Sequence, residues 1–164
     1  MDATYNTLAL YLTQKISSHS SRDRFLVAIA GIPGSGKSTL AKTLVERVNE
    51  LVGGNVSVMV PMDGYHYPKK MLDTFPDPKE AYARRGAYWT FDAQGLLTLT
   101  EALRRPIDSS QTITAPSFDH GKGDPVENDI EILPSHKLVI MEGLYLHLKE
   151  PPVWKSIASH MDEF

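Results

Sequence analysis

The sequence has 164 residues, 41% of them hydrophobic and 23% charged, which is typical of a folded chain long enough for one domain with its own core. It contains no cysteine, which excludes disulfides, thiolate metal sites and a cysteine nucleophile. The formal net charge of -3, from 17 basic and 20 acidic residues, provides no basic excess for binding nucleic acid or a membrane surface.

Two features bear on where the protein works. The longest apolar run, residues 25–30, is far shorter than the ~20 residues that a membrane-spanning helix needs. The chain begins Met1-Asp2, with no basic stretch ahead of an apolar one, so we expect no secretory signal. We therefore expect a cytoplasmic protein without nucleic-acid or membrane partners. The sequence leaves an oligomer possible.

The first part of the chain predicts a helix, a strand, a helix and a strand, in that order. Apolar residues at helical spacing indicate an amphipathic first helix, which a polar segment links to the strand. That strand is a continuous apolar run, typical of a strand buried on both faces of a parallel sheet. The second helix ends at a Gly-Gly pair, as helices commonly do. The predicted elements cover residues 4–17, 25–30, 37–51 and 56–60.

The rest of the chain combines long polar segments with a few predicted elements. Residues 61–91 are rich in proline, glycine, tyrosine and charge and are too long for an ordinary connection, which argues for a functional lobe. Residues 116–129 are also polar, and they are predicted to form a loop. The predicted elements are a helix after Asp92 through Leu103, strands at 112–115 and 138–141, and a last helix at 153–161.

This order of elements predicts the α/β class, with a parallel sheet flanked by helices. All four predicted strands are counted in that sheet. One domain is expected to cover residues 1–164.

A phosphate-binding loop joins the first strand to the second helix. The segment Gly-Ile-Pro-Gly-Ser-Gly-Lys-Ser matches G-x-x-x-x-G-K-[ST] in full, and a chance match in a chain this long has odds of about one in a hundred. Its glycines let backbone N–H groups surround phosphate oxygens, Lys37 adds a charge, and the Ser38 hydroxyl can hold Mg²⁺. The candidate nucleotide-binding residues are Gly31, Ile32, Pro33, Gly34, Ser35, Gly36, Lys37, Ser38 and Thr39.

Two acids follow predicted strands, where ligands of open α/β sheets bind. Glu142 can accept a hydrogen bond from Ser38 or from Mg²⁺-bound water, although P-loop proteins usually place aspartate at this position. The alternative is a solvated acid at a strand end. Asp63 can orient an acceptor hydroxyl and take its proton, or Asp63-Gly64 can be a simple turn.

Three further groups are candidates for binding an acceptor. Arg84 and Arg85 precede an aromatic pair and suit anionic oxygens, with a solvated basic pair as the alternative. Asp92 has a rival role as helix N-cap. The Asp119-His120 pair can orient a sugar-like hydroxyl or serve only the loop. The histidines show no paired spacing that would indicate zinc.

Five segments, in this order, resemble the phosphoribulokinase/uridine kinase family of P-loop small-molecule kinases, which includes pantothenate kinase. They are residues 31–39, 61–68, 84–92, 116–119 and 139–143. The P-loop is shared by many superfamilies, whereas the other segments together are more specific. The resemblance implies a three-layer P-loop NTPase-type fold. It also implies ATP and Mg²⁺ as cofactors, and transfer of the γ-phosphate to a hydroxyl of a nucleoside, sugar or vitamin alcohol.

The resemblance also implies roles for individual residues. Asp63 matches the catalytic base, which acts beside Lys37, and Asp92 matches an acid that binds acceptor hydroxyls. Phe118 stands where uridine kinases tend to have a tyrosine. Glu142 matches the glutamate that replaces the usual metal-side aspartate and acts with Ser38. The acceptor is expected to bind in a lobe of about 61–91 and 116–129, with the candidate residues Asp63, Tyr65, His66, Arg85, Asp92, Phe118 and His120.

The family continues past Phe164 into a lid helix that carries arginines, and this sequence ends first, so a C-terminally short fold is expected. Arginines that neutralise a transferring phosphoryl group are worth about 10³–10⁵ in rate. Two alternatives to the kinase therefore stay open. One is a nucleotide-binding regulatory or truncated protein with little or no turnover. The weaker one is a P-loop ATPase, and no guanine-reading N-K-x-D-like segment favours a GTPase.

Overall fold

The computed structural model describes residues 2–164, so Met1, which entered the argument against a secretory signal, lies outside the described residues. Its helices are α1 (Asp2–Ser18), α2 (Lys37–Val52), α3 (Lys69–Leu72), α4 (Pro78–Ala83), α5 (Ala93–Arg104) and α6 (Pro152–Ser159). Its strands are β1 (Phe25–Ala30), β2 (Ser57–Pro61), β3 (Ile113–Asp119), β4 (Asp124–Ile132) and β5 (Leu138–Gly143). No helix among the described residues is both long and apolar enough to cross a membrane.

Strands β1, β5 and β2 form a parallel sheet in that order, with β5 in the centre. Leu138 of β5 pairs with Phe25 on one side and with Ser57 on the other. All six residues of β5 are buried, as expected for a central strand that is covered on both faces. Along the outer edge of β1, Glu163 forms a parallel bridge to Val27, and its carbonyl accepts from the Ala28 N–H at 3.0 Å.

Helices cover both faces of this sheet, which confirms the predicted three layers. Alternate residues of β1 and β5 point to opposite faces because side chains alternate along a strand. On one face, Val27 and Ile140 pack with residues of α1 and α2, such as Leu12 and Leu44. On the other face, the neighbouring strand residues pack with α5 and α6, through Leu96, Leu99, Leu103, Trp154 and Ile157.

The prediction of a loop over residues 116–129 is wrong, because β3 and β4 form an antiparallel hairpin there. The strand predicted at 112–115 is the start of β3, and it lies in this separate sheet rather than in the parallel one. Only the base of the hairpin enters the core, through Ala115 and Ile132. The rest of β4 is largely exposed, so inter-strand hydrogen bonds hold it without a hydrophobic alternation that would mark a strand.

The segment 61–91 consists of short helical turns packed against the hairpin. A 3-10 turn, Met62–Tyr65, follows β2, and its Gly64 lies against the backbone of Pro116 in β3. The Asp92 N–H donates to the Tyr65 carbonyl at 2.7 Å, which ties the two ends of the segment together. The lobe and the hairpin therefore stand together above the carboxyl edge of the parallel sheet.

Candidate active site

The P-loop joins β1 to α2 with the geometry that its glycines predict. Gly34 and Gly36 have φ values of 77° and 85°, a left-handed conformation that glycine adopts without steric cost. The loop is anchored to the centre of the sheet because the Gly31 N–H donates to the Gly143 carbonyl at 3.2 Å. Lys37 Nζ lies 3.5 Å from the Ile32 carbonyl oxygen, folded over the loop. Anions are stabilised at the N-terminus of α2, where the helix dipole and free N–H groups point.

A cavity of about 630 Å³ lies beside this loop. The predicted nucleotide-binding residues among its lining are Gly31, Ile32, Ser35, Gly36, Lys37 and Thr39. Pro33, Gly34 and Ser38 belong to the same loop but are not part of this lining. The cavity is closed on one side by Tyr5 of α1, a contact that the sequence analysis missed. Tyr5 lies in the first helix, more than twenty residues before the loop, so no local sequence pattern predicts that it lines this cavity.

Glu142 is brought to the floor of the site by β5, opposite Ile29 of β1 and Pro61 of β2. The residue is 5% exposed. Burial raises the pKa of its carboxyl group, an effect that the Ser38 hydroxyl opposes by donating a hydrogen bond to the carboxylate. The charge of Lys37 also lowers this pKa, whereas the carboxylate of Asp63 raises it. The predicted pair of Ser38 and Glu142 is therefore in contact.

The second oxygen of this carboxylate is available for a metal ion. Glu142 Oε2 is buried and has no hydrogen-bond partner among residues 2–164, although buried polar atoms are normally paired. The described residues contain no group of three or more His, Asp or Glu that could hold a metal by itself. Mg²⁺ commonly binds through one or two protein oxygens together with substrate phosphates. The Ser38 hydroxyl and Glu142 fit that ligand set.

Asp63 lies two residues beyond β2, at the same edge of the sheet as Glu142. Its backbone carbonyl accepts from the His66 N–H at 3.1 Å and lies 2.8 Å from His66 Nδ1. Within residues 2–164, no hydrogen bond or ion pair engages its carboxylate. The carboxylate is close enough to Glu142 to raise that group's pKa. Asp63 therefore has a free carboxylate beside the phosphate-binding loop.

A second cavity, of about 950 Å³, lies between the lobe and the hairpin. Three predicted acceptor residues line it: Tyr65, His66 and Asp92. Asp92 is also the N-cap of α5, since its Oδ1 accepts from the Gly95 N–H at 2.9 Å, and its binding of an acceptor hydroxyl stays a prediction. Burial and, to a smaller extent, the negative charge of Asp92 raise the pKa of Tyr65, so its hydroxyl stays protonated as a hydrogen-bond donor.

Aromatic rings support one wall of this cavity. The His66 ring lies 4.0 Å from the Phe91 ring and 4.9 Å from the Phe118 ring, measured between centroids. His120 lies 5.2 Å from Phe118 in turn. Burial lowers the pKa of His66, which keeps its imidazole neutral at physiological pH. Phe118 and His120 thus act on the cavity through His66, and neither is part of its lining.

Arg85 connects the lobe to the tip of the hairpin. Its guanidinium donates to the Gly123 carbonyl at 2.6 Å, to the Tyr67 carbonyl at 3.1 Å and to Asp124 Oδ1 at 2.9 Å. Its Nε is buried without a partner in the described chain. The structure therefore shows Arg85 holding the hairpin in place. A direct contact between Arg85 and the acceptor stays a prediction.

The hairpin and α3 sides of this cavity were not predicted. The additional polar lining residues are Lys70, Asp124, Glu127 and Asn128. They lie in segments that were predicted as a loop or as a lobe without helices or strands, so no periodicity indicates which side chains face inward. The close spacing of acids at 124, 127 and 129 was the available signal.

Proteins similar to this chain include kinases. The family model of the phosphoribulokinase/uridine kinase family matches residues 26–163. "Putative uridine kinase C227.14" of Schizosaccharomyces pombe is 45% identical over 131 residues, covering 80% of this chain and 55% of that protein. The ATP-dependent kinase YFH7 of Saccharomyces cerevisiae is 30% identical over 172 residues, covering 87% and 48% respectively. The chain thus spans about half the length of these curated relatives.

Solved structures share the fold. A "putative fructose transport system kinase" from Silicibacter sp. TM1040 superposes with a TM-score of 0.79 at 30% identity, covering 96% of this chain and 71% of that one. The crystal structure of YFH7 from Saccharomyces cerevisiae superposes with a TM-score of 0.84 at 23% identity, covering 95% and 79%. The second likeness is evidence for the fold alone.

Proposed function

Because the chain belongs to the phosphoribulokinase/uridine kinase family of P-loop kinases, we propose that it transfers the γ-phosphate of ATP to a hydroxyl of a small metabolite. One observation carries this proposal. The free carboxylate of Asp63 lies beside the Lys37, Ser38 and Glu142 group and directly precedes Gly64, which lines the second cavity. A group at that junction can act on a hydroxyl that faces the phosphates.

Each residue of the site has a separate role in this transfer. The P-loop N–H groups and Lys37 would hold the phosphates of ATP, and Ser38 with Glu142 would hold the Mg²⁺. The ion, when bound, neutralises charge on the phosphate oxygens. Asp63 orients the acceptor hydroxyl and receives its proton. The acceptor oxygen forms a bond to the γ-phosphorus while the bond from that phosphorus to the β–γ bridging oxygen breaks, and ADP leaves with the bonding electrons.

Replacing Asp63 tests this proposal. We expect Asp63→Asn to lower the rate of phosphoryl transfer by about 10²–10⁴, since the amide cannot take a proton, while affinity for Mg·ATP changes little. The matched control is Asp73→Asn in the same lobe, an exposed position that accepts from the Tyr82 hydroxyl, and it should retain activity. Product formation is measured by mass spectrometry on a panel of nucleosides, sugars and vitamin alcohols.

A second candidate is a nucleotide-binding protein with little turnover. Both arginines of the lobe are engaged in ion pairs, Arg84 with Glu80 and Arg85 with Asp124, and Lys37 is the cation of the phosphate-binding loop. Titration calorimetry that shows Mg·ATP binding, together with no product from any acceptor of the panel, would establish this second candidate and reject the kinase.

A further inference from the structure

The β-hairpin contains an irregularity directly beside the second cavity. Ala115 pairs with Ile130, but Ser117 pairs with Val126, so residues 127–129 lie opposite Pro116 alone. Proline has no N–H to donate to the partner strand, which allows the extra residues to leave the ladder. Such bulges turn side chains away from their regular direction and are frequent next to active sites.

Asn128 occupies the centre of this bulge, which is defined here as residues 127–129. Its φ of 56° is left-handed, the one positive value at a non-glycine residue in the described chain. Asparagine tolerates this conformation better than most residues, and strained positions of this kind cluster at ligand sites. The bulge therefore has a conformational cost that regular antiparallel pairing of the two strands would avoid.

The bulge places two polar residues at the cavity. Glu127 and Asn128 both line it and are exposed, whereas Asp129 turns back to accept from the Ser117 hydroxyl at 2.6 Å. Asn128 Oδ1 accepts from the Thr114 hydroxyl at 2.7 Å, which orients the amide and leaves its NH₂ group to donate. Glu127 has no hydrogen bond or ion pair within residues 2–164. The Asn128 NH₂ group and the Glu127 carboxylate are thus a donor and an acceptor available to a ligand on one wall of the cavity.

The charges of the cavity restrict what can occupy it. Its lining contains the carboxylates of Asp92, Asp124 and Glu127 and one ammonium group, that of Lys70. Asp124 pairs with Arg85 at 2.9 Å, which leaves Asp92, whose Oδ1 caps α5, and the unpaired Glu127 against the one cation of the lining. A carboxylate or phosphate on the acceptor would face this negative excess without an arginine to receive it.

We propose that the acceptor is an uncharged polyhydroxy compound, and that Glu127 and Asn128 select it by hydrogen bonds to hydroxyls remote from the one that is phosphorylated. This inference rests on the proposed function and names its substrate class. Hydroxyl groups donate to Asp92 and Glu127 and accept from the Asn128 amide, which satisfies each group of the wall. An acceptor that lacks these hydroxyls leaves the wall unpaired, which is the basis of strong discrimination.

Matched pairs of acceptors test the class. The protein is assayed with Mg·ATP against sorbitol and gluconate, ribose and ribose 5-phosphate, and glycerol and glycerate. We expect the uncharged member of each productive pair to have a kcat/KM about tenfold or more above that of its anionic partner. Repulsion between the negative charge of the acceptor and the carboxylates of the cavity changes kcat/KM on that scale. Preference for the anionic members overturns the inference and leaves the kinase function intact.

Substitutions of Glu127 and Asn128 test whether these two residues select the acceptor. Glu127→Lys should shift the ratio of anionic to uncharged kcat/KM upward by about tenfold or more, because it reverses the sign of the free charge on the wall. Glu131→Lys is the control, since Glu131 is exposed on the same strand and outside the cavity. Asn128→Gly, which keeps the left-handed backbone, should raise KM about tenfold with kcat within about twofold, and Asn128→Asp tests the amide NH₂ alone. Equal behaviour of Glu127→Lys and Glu131→Lys overturns the inference.

A binding measurement separates this inference from the proposed function. Saturation-transfer NMR with the protein saturated by Mg·AMP-PNP detects acceptors without any turnover. Binding of the uncharged members that is weakened by Asn128→Gly supports the inference even where no product forms, a result that rejects only the kinase. No binding of any uncharged member, or binding that the variant leaves unchanged, overturns it.

Discussion

The carboxyl group of Glu142 combines a structural cost with a chemical use. A carboxylate that is 5% exposed loses most of its hydration, and the Ser38 hydroxyl compensates only one of its oxygens. Without a ligand, Oε2 has no partner in the described chain. A divalent cation held between this oxygen and the nucleotide phosphates would pair the charge. We interpret the unpaired oxygen as a site prepared for binding rather than for stability.

Replacing Glu142 by glutamine should separate these two effects. Burial raises the pKa of Glu142 in the folded chain above its ordinary value, so its contribution to stability is fully present below that ordinary value and lost as pH rises through the folded pKa. We expect Glu142→Gln, measured without nucleotide, to raise the free energy of unfolding by about 1 kcal/mol at neutral pH and by almost nothing near pH 4.

The same variant should lose the Mg²⁺ dependence of ATP binding, which calorimetry measures with and without the ion. Glu50→Gln is the control, because Glu50 is exposed near the end of α2 and should change neither property. Urea unfolding at the two pH values provides the stabilities. A glutamine variant that is less stable than the parent at neutral pH would contradict this account.

At the scale of elements, the site depends on how closely the 3-10 turn after β2 approaches β3. A Cβ atom on Gly64 would overlap the carbonyl oxygen of Pro116 and lie 2.7 Å from its carbonyl carbon. Both atoms belong to the backbone, which cannot rotate away as a flexible side chain can. This approach sets the height of the second cavity, because Gly64 and Pro116 both line it.

We therefore expect Gly64→Ala to lower the free energy of unfolding by about 1–3 kcal/mol, the usual range for an added methyl group without space. The control is Gly54→Ala, where the nearest heavy atom to a Cβ is Val56 Cγ1 at 4.0 Å. Urea denaturation of the two variants and the parent measures the difference. Equal stabilities for the two alanine variants would show that the turn and β3 can separate.

At the scale of the whole molecule, the edge of the parallel sheet opposite the candidate site contains a buried charge that opposes folding. Arg24 lies at the amino edge of the sheet, just before β1, and is 3% exposed. Its guanidinium has no hydrogen bond or ion pair with any residue of the described chain, and its Nε is buried. His136, 4% exposed, lies close by, and burial together with the charge of Arg24 lowers its pKa. An unpaired buried cation opposes folding.

Arg24→Met should therefore stabilise the chain, by about 1–2 kcal/mol, since methionine fills similar volume without a charge. It should also raise the pKa of His136, which NMR titration of the imidazole measures, and leave Mg·ATP affinity unchanged at the opposite edge. The exposed neighbour Arg22 provides the control Arg22→Met. A fall in stability would mean that solvent or another group pairs with the Arg24 guanidinium.

Local sequence patterns predicted the structure correctly wherever a buried strand or a loop motif depends on a few consecutive residues. The P-loop, strand β1 and the N-cap role of Asp92 were predictable because they depend on neighbours along the chain. The same is true of the α/β class with a parallel sheet, since a strand buried on both faces has to be apolar throughout, whereas the three layers were implied by the family resemblance. The strand-end rule correctly placed Asp63 and Glu142 at one edge and predicted the pairing of Glu142 with Ser38, whereas the free state of the Asp63 carboxylate needed the fold.

What only the tertiary structure decided lies in the hairpin. Residues 116–129 are too exposed to carry a hydrophobic alternation, so their pairing depends on inter-strand hydrogen bonds that composition does not record. The bulge at Asn128, the engagement of Arg85 by the hairpin tip, and the cavity between hairpin and lobe all follow from that pairing. The sequence by itself thus determined the phosphate side of the site, whose geometry is local. The acceptor side needed the tertiary structure, because segments distant along the chain build it.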